Sequence, residues 1–218
     1  STLADARALV AKYNLTVDDA VRRALEYPGN ESCKPGDAAF ARAQFEMIAK
    51  PKASLDAAIK VAKNAGYEII DLGADLEGEA RDVAADHARL ALKAQSEGKR
   101  TAILSGGELT VTVRGNGRGG PNQEYALALA IALAGEPGIV ALSGDTDGTD
   151  GGGGEATDPA GAMVDPQTLT RAAEIGLDPA RSLADNDSTG FFEALGDLLQ
   201  PGPTLTNVND CRVILIEP

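Results

Sequence analysis

The chain has 218 residues, 43% of them hydrophobic and 24% charged, with a formal net charge of −13. That length allows one large or two small domains with a real core. The acidic balance excludes nucleic acid and anionic membrane surfaces as partners, since both demand a basic face, and no run of about 18 apolar residues is present to span a membrane.

The charge is uneven. Residues 1–100 hold 15 Lys and Arg against 16 Asp and Glu, whereas residues 101–218 hold 5 against 17 and contain no lysine. The cations of the second part are Arg114, Arg118, Arg171, Arg181 and Arg212. No signal peptide is visible, and Cys33 and Cys211 lie far apart without metal-type spacing, which fits free thiols in a cytoplasmic protein. The chain starts at Ser1 rather than Met, which implies a processed start or a piece of a longer protein.

In chain order, residues 3–13 and 17–26 have helical spacing, with Thr16 as the N-cap of the second. A loop follows through Gly36, and residues 45–49 read as a short strand. Ser54 caps a helix to about Asn64, residues 67–72 form a strand, and residues 76–95 form a long amphipathic helix with His87 on its surface. Strands at 101–104 and 109–113 precede a glycine-rich loop, an apolar helix at 126–134 and a strand at 138–142. Residues 143–158 are too polar and glycine-rich for regular structure. Helices follow at 166–175, 178–183 and from a D-N-D-S cap at 185–188 through Leu199, then a final strand at 212–216. The alternation gives an α/β class, a three-layer α/β/α arrangement with a mostly parallel or mixed sheet.

The segment R-G-N-G-R-G-G-P-N-Q-E at 114–124 concentrates the chemistry. Phosphate needs bare backbone N–H groups and gains from a helix N-terminus. Gly115 to Gly120 supply the backbone, Pro121 suits the first helical position, and Arg114 and Arg118 add cations that grip phosphate or carboxylate. Gly115, Gly117 and Gly120 also match G-x-G-x-x-G, so an anion site, a structural turn and a dinucleotide cradle all stay open. Asp145, Asp147, Asp150, Glu155 and Asp158 crowd one loop, either as a solvated acidic stretch or as hard oxygen donors toward Mg²⁺. Ser105-Gly106-Gly107-Glu108 follows a strand and is either a turn or a set of N–H groups beside the same site. Residues 185–188 read most simply as caps, and residues 206–210 orient a strand end or line the cleft.

The motifs S-G-G-E-L-T-V-T-V-R-G-N-G-R-G-G-P-N-Q-E at 105–124, D-T-D-G at 145–148, T-D-P-A-G-A at 157–162, L-A-D-N-D-S at 183–188 and G-P-T-L-T-N-V-N-D at 202–210 occur in that order. Together they closely resemble the C-terminal MOFRL region of the glycerate 2-kinase family, some members of which carry the older name hydroxypyruvate reductase. Residues 1–100 fit more loosely as a helix-rich lead-in, with L-E-G-E-A-R at 76–81 the best marker.

The resemblance implies transfer of the ATP γ-phosphoryl group to the 2-hydroxyl of D-glycerate, with Mg²⁺. It implies a protein about twice this length, whose N-terminal Rossmann-like half supplies the other wall of the substrate cleft. On that reading residues 1–218 form the C-terminal α/β domain, inactive alone, and a homo-oligomer is compatible with it. Arg118 and Arg114 are the candidate catalytic residues. Ser105, Gly106, Gly107, Glu108, Gly115, Gly117, Gly119, Asn122, Gln123, Glu124, Asp187, Asn207 and Asn209 are candidate substrate or phosphate contacts, and Asp147 and Asp150 candidate metal ligands. Two departures stand out. Pro121 occupies the place of an arginine found in many members, and Leu205 stands where glycine is commoner. The competing functions are an NAD(P)H-dependent hydroxypyruvate reductase and a non-catalytic small-anion-binding domain.

Overall fold

Alternate residues of the strand at Asp210–Ile216 are buried, and the residues between them are half-buried. Such a strand carries apolar side chains on both faces and must be covered on both, which dictates a layered α/β arrangement. The computed structural model describes residues 2–153 and 155–218. The chain divides into two compact units, residues 1–48 and 49–218.

The first unit contains α1 (Leu3–Lys12) and α2 (Asp19–Glu26), followed by two single 3₁₀ turns at Pro28–Asn30 and Ala38–Phe40. Thr2 and Asp5 form a reciprocal capping box on α1. Asp18, not Thr16, caps α2, through a 2.8 Å bond from the Val21 N–H. Residues 45–49 form no strand, because no strand among the described residues pairs with them.

The second unit runs α3 (Pro51–Asn64), β1 (Glu68–Asp71), β2 (Glu77–Glu79), α4 (Ala80–Ser96), β3 (Thr101–Ser105), β4 (Glu108–Thr110), α5 (Pro121–Leu133), β5 (Ile139–Asp145), β6 (Gly161–Val164), α6 (Thr168–Glu174), α7 (Pro179–Ala184), α8 (Ser188–Leu195), β7 (Leu198–Leu199) and β8 (Asp210–Ile216). The main sheet has the order β1-β3-β8-β5-β6-β7, and β2 pairs with β4 separately. By contacts, the compact units divide between Ile48 and Ala49.

Of the two sheet types expected, the mixed one is found. Only β1–β3 is parallel in the main sheet; β3–β8, β8–β5, β5–β6 and β6–β7 are antiparallel. The crossovers β1-α4-β3 and β3-α5-β5 are of the kind that makes parallel pairs. The last strand, β8, inserts between β3 and β5 in the opposite direction and breaks the second pair. Residues 77–79, expected in the long helix, are extended because they pair with 108–110.

Alanines 80, 84, 88, 91 and 94 of α4 and nearly the whole of α5 pack with Ile103, Ile139, Ile214 and Ile216 on one sheet face. Leu55 and Ile59 of α3 cover Ala102 and Leu104 on the other, with Val213 and Leu215 packed against them. The three-layer expectation holds over β1, β3 and β8, while Val140 of β5 and Met163 of β6 stay well exposed. No helix among the described residues is long and apolar enough to cross a membrane.

His87 is a correction. It lies on the alanine stripe of α4, 5% exposed, with Nδ1 2.8 Å from the Tyr125 hydroxyl of α5. Burial, reinforced by the Arg212 charge, pushes its pKa from 6.5 down to about 4. The unfolded chain takes up this proton more readily than the folded one. The contribution to stability is therefore complete above pH 6.5 and is lost as pH falls toward 4. A His87→Gln variant should lose less stability than the parent over that window, by at most about 3 kcal/mol, read from urea midpoints at its two ends. Equal losses would contradict the burial of a neutral imidazole.

Candidate functional site

β3 ends at Ser105, β5 ends at Asp145, and β8 begins at Asp210 directly opposite Asp145. The loops leaving these strands gather at one edge of the sheet, where open α/β sheets form clefts. A buried arginine organises the edge. Arg212, 1% exposed, bonds Asp210 Oδ2 at 2.6 Å and Ser105 Oγ at 3.1 Å, and donates to the Gly106 carbonyl. The Gly106 N–H bonds the Gly73 carbonyl at 2.8 Å. Gly107 has φ +90, and a Cβ there would collide with the Leu76 backbone. Ser105, Gly106 and Gly107 are thus buried and held by protein, and Glu108 is exposed on β4. Arg212 is a site residue outside the candidates expected from the sequence. The signal was there: a lone cation inside an apolar strand, two residues after an aspartate.

The glycine loop faces protein. The N–H groups of Arg114 and Gly115 bond Asn186 Oδ1 at 2.7 and 3.0 Å. Those of Asn116 and Gly117 bond Asp185 Oδ1 and its carbonyl at 3.0 and 2.9 Å, and that of Arg118 bonds Asp187 Oδ1 at 3.1 Å. Of the N–H groups of Gly115 to Gly120 expected to cradle an anion, those of 115–118 are therefore taken by residues 185–187, as is that of Arg114. The glycines are demanded by packing: a Cβ at Gly115, Gly117 or Gly119 would collide with Asp185, Asp187 or Ser188 respectively. The dinucleotide reading loses its geometric basis here, because the N–H groups of 114–118 already have acceptors. Asp187 also caps α8, so it serves as an anchor for two elements.

The helix tip is occupied as well. Asp150, 4% exposed, accepts at Oδ1 from Asn122 N and Nδ2 at 2.9 and 3.1 Å, and at Oδ2 from Gln123 N and Nε2 at 2.9 and 3.0 Å. A carboxylate from the chain itself thus fills the N-terminal anion position of α5. Burial raises its pKa, opposed by these four bonds. Asn122 also bonds Asp210 and Ser143, and Gln123 accepts from Thr189 Oγ1. Glu124 accepts from Arg81 and from Asn186. Asn122, Gln123 and Glu124 are all buried, and each has protein partners for its polar atoms. The Arg81 contact gives the L-E-G-E-A-R segment its role.

The remaining acidic residues form turns. Asp147 Oδ1 accepts from the Thr149 N–H at 2.9 Å, and Asp147 Oδ2 accepts from Asn207 at 3.3 Å. Asn209 holds Thr146 through its carbonyl. Burial and the neighbouring Asp147 and Asp210 charges raise Asp145 to about 6, against the pull of a bond from the Asp147 N–H. No three His, Cys, Asp or Glu residues are grouped to hold a metal among the described residues. The expected pair Asp147 and Asp150 does not fit Mg²⁺: both oxygens of Asp150 are committed to α5, which takes it out of the donor set. Leu205, in the position where glycine is commoner, has φ +60 in the left-handed region.

Gly117, Arg118, Gly119 and Asp150 come together on a cleft of about 550 Å³ whose other walls include Thr157, Asp158 and Glu193. Arg118 reaches Glu193 at 2.6 Å in an exposed pair, a weak tether. The Arg114 guanidinium makes no hydrogen bond or ion pair with the described residues. Ser105 to Glu108, Asn207 and Asn209 lie outside this cleft.

If Asp150 is the cap, Asp150→Ala leaves two buried helix N–H groups unpaired and lowers stability by about 1–3 kcal/mol. The loss should be the same in EDTA and in millimolar Mg²⁺. A loss seen only with Mg²⁺ present would restore the metal role.

The MOFRL family model matches residues 101–210. A protein of Agrobacterium vitis named "Putative hydroxypyruvate reductase" is 45% identical over 99% of this chain and 49% of its own length. The D-glycerate 2-kinase of Thermotoga maritima is 36% identical over 99% of this chain and 50% of its own. The crystal structure of the glycerate kinase from Thermotoga maritima superposes with a TM-score of 0.79 over 99% of this chain and 50% of that one. The chain spans about half the length of these relatives. On the family match over residues 101–210, it belongs to the MOFRL family.

Proposed function

We propose that this chain forms one wall of the cleft of a glycerate kinase that moves the γ-phosphoryl group of ATP to the 2-hydroxyl of D-glycerate. The other wall belongs to polypeptide outside this chain, and the chain alone turns over no glycerate. The observation that carries the reading is the glycine loop. Its main chain is fixed at five consecutive N–H groups, and two arginines project from it in an otherwise lysine-free, acidic half. Phosphoryl transfer depends on placing the reactants and neutralising charge more than on covalent chemistry. A guanidinium on an immobile loop meets that demand, and a histidine base is not needed. As the hydroxyl oxygen bonds phosphorus and the bond to ADP breaks, the hydroxyl proton passes to water, and Arg118 stabilises the charge on the equatorial oxygens. Arg114, on the same loop but outside the lining of the Arg118 cleft, is the second candidate cation. ATP bound with Mg²⁺ supplies the phosphoryl group, with the metal held by donors other than Asp150. The free cysteines Cys33 and Cys211 are compatible with a cytoplasmic enzyme.

In the full-length protein, D-glycerate should drive ADP release in a coupled assay. Arg118→Ala should lower kcat about 10³- to 10⁵-fold, the range of arginines that touch a transferring phosphoryl group. A loss under tenfold would make Arg118 a positioning residue. Oxidation of NAD(P)H by hydroxypyruvate, with no glycerate-dependent ADP release, would favour the reductase instead.

A further inference from the structure

Residues 41–50 are all exposed, and residues 43–50 have no regular structure. Phe45 is 87% and Ile48 92% exposed, and Met47 is more than half exposed. No N–H of residues 44–49 donates to a main-chain acceptor among the described residues. Six consecutive unpaired donors beside three large apolar side chains form an unfinished element, not a solvated loop, since a loop rich in such side chains gains nothing from water.

The sequence itself reads as a strand over 45–49. In an extended segment Phe45 and Met47 point to one side, and Glu46 and Ile48 to the other. Apolar groups on both sides suit a strand covered on both faces within a sheet flanked by helices. The relatives supply the occupant. The chain spans 49% of the Agrobacterium vitis protein and 50% of the Thermotoga maritima crystal structure. As much chain again lies outside the match, enough for a further α/β domain. A second copy is disfavoured, since each carries a net charge of −13.

We infer that residues 44–49 are a β-strand that this chain adds to a sheet of the polypeptide corresponding to the other half of its relatives. Main-chain bonds supply the affinity, and pockets for Phe45, Met47 and Ile48 set the register. The inference stands whether or not the kinase reading does.

The test is amide exchange at residues 44–49, with and without the half of the Agrobacterium vitis protein that this chain does not match. Exchange should slow at least tenfold in the mixture. Glu46→Pro, which removes a central donor, should weaken association at least tenfold and leave the melting temperature of the free chain unchanged. If the separate half is insoluble, joining the two halves in one chain gives the same exchange readout. A complex whose residues 44–49 exchange as fast as in the free chain overturns the inference, as does a failure to associate. Protection that appears on concentrating this chain alone overturns the assigned partner in favour of a second copy.

Discussion

The carboxylate of Asp150 at the tip of α5 is the contact on which the rest of the site depends. α5 is buried on nearly all sides, so its first turn opens inside the protein, where unpaired N–H groups are costly. Asp150 satisfies two of them and both side-chain amides of Asn122 and Gln123. Those amides in turn reach Ser143, Thr189 and Asp210, and Asp210 reaches Arg212. One carboxylate thereby fixes the helix tip relative to β5, β8 and α8.

The same logic explains the glycine loop. Its N–H groups must be satisfied while the chain passes close to residues 185–188, and only glycine leaves room for that approach. Asn186 takes the left-handed conformation, φ +55, that lets its side chain accept from two loop N–H groups while its amide donates to Glu124. The backbone N–H groups of residues 114–118 are spent on structure. Arg114 and Arg118 are fixed at their base by the main-chain bonds of the loop, and Arg118 is paired with Glu193 at its end.

Much of this was legible in the sequence, and the failures share a cause. α5 announced itself by an apolar run behind Pro121, and the family by five ordered motifs. The tight packing of the loop followed from the glycines. Its orientation did not, because nothing local reveals whether loop N–H groups meet a ligand or an aspartate some 70 residues away. β6 and β7 were unreadable, being four and two residues long and stabilised by pairing rather than by propensity. His87 looked polar and therefore exposed, yet the alanine stripe around it faces α5. Residues 45–49 are the reverse case: the strand signal is present and no strand among the described residues pairs with it.

Amide exchange of residues 114–118 in the free chain, with and without inorganic phosphate, tests the central claim most directly. If residues 185–187 hold the loop, these N–H groups are as protected as the first turns of α5, phosphate leaves them unchanged, and Asn186→Ala accelerates Arg114 and Gly115. Fast exchange in the free chain, slowed by phosphate, would show that the loop waits for an anion and would contradict the account.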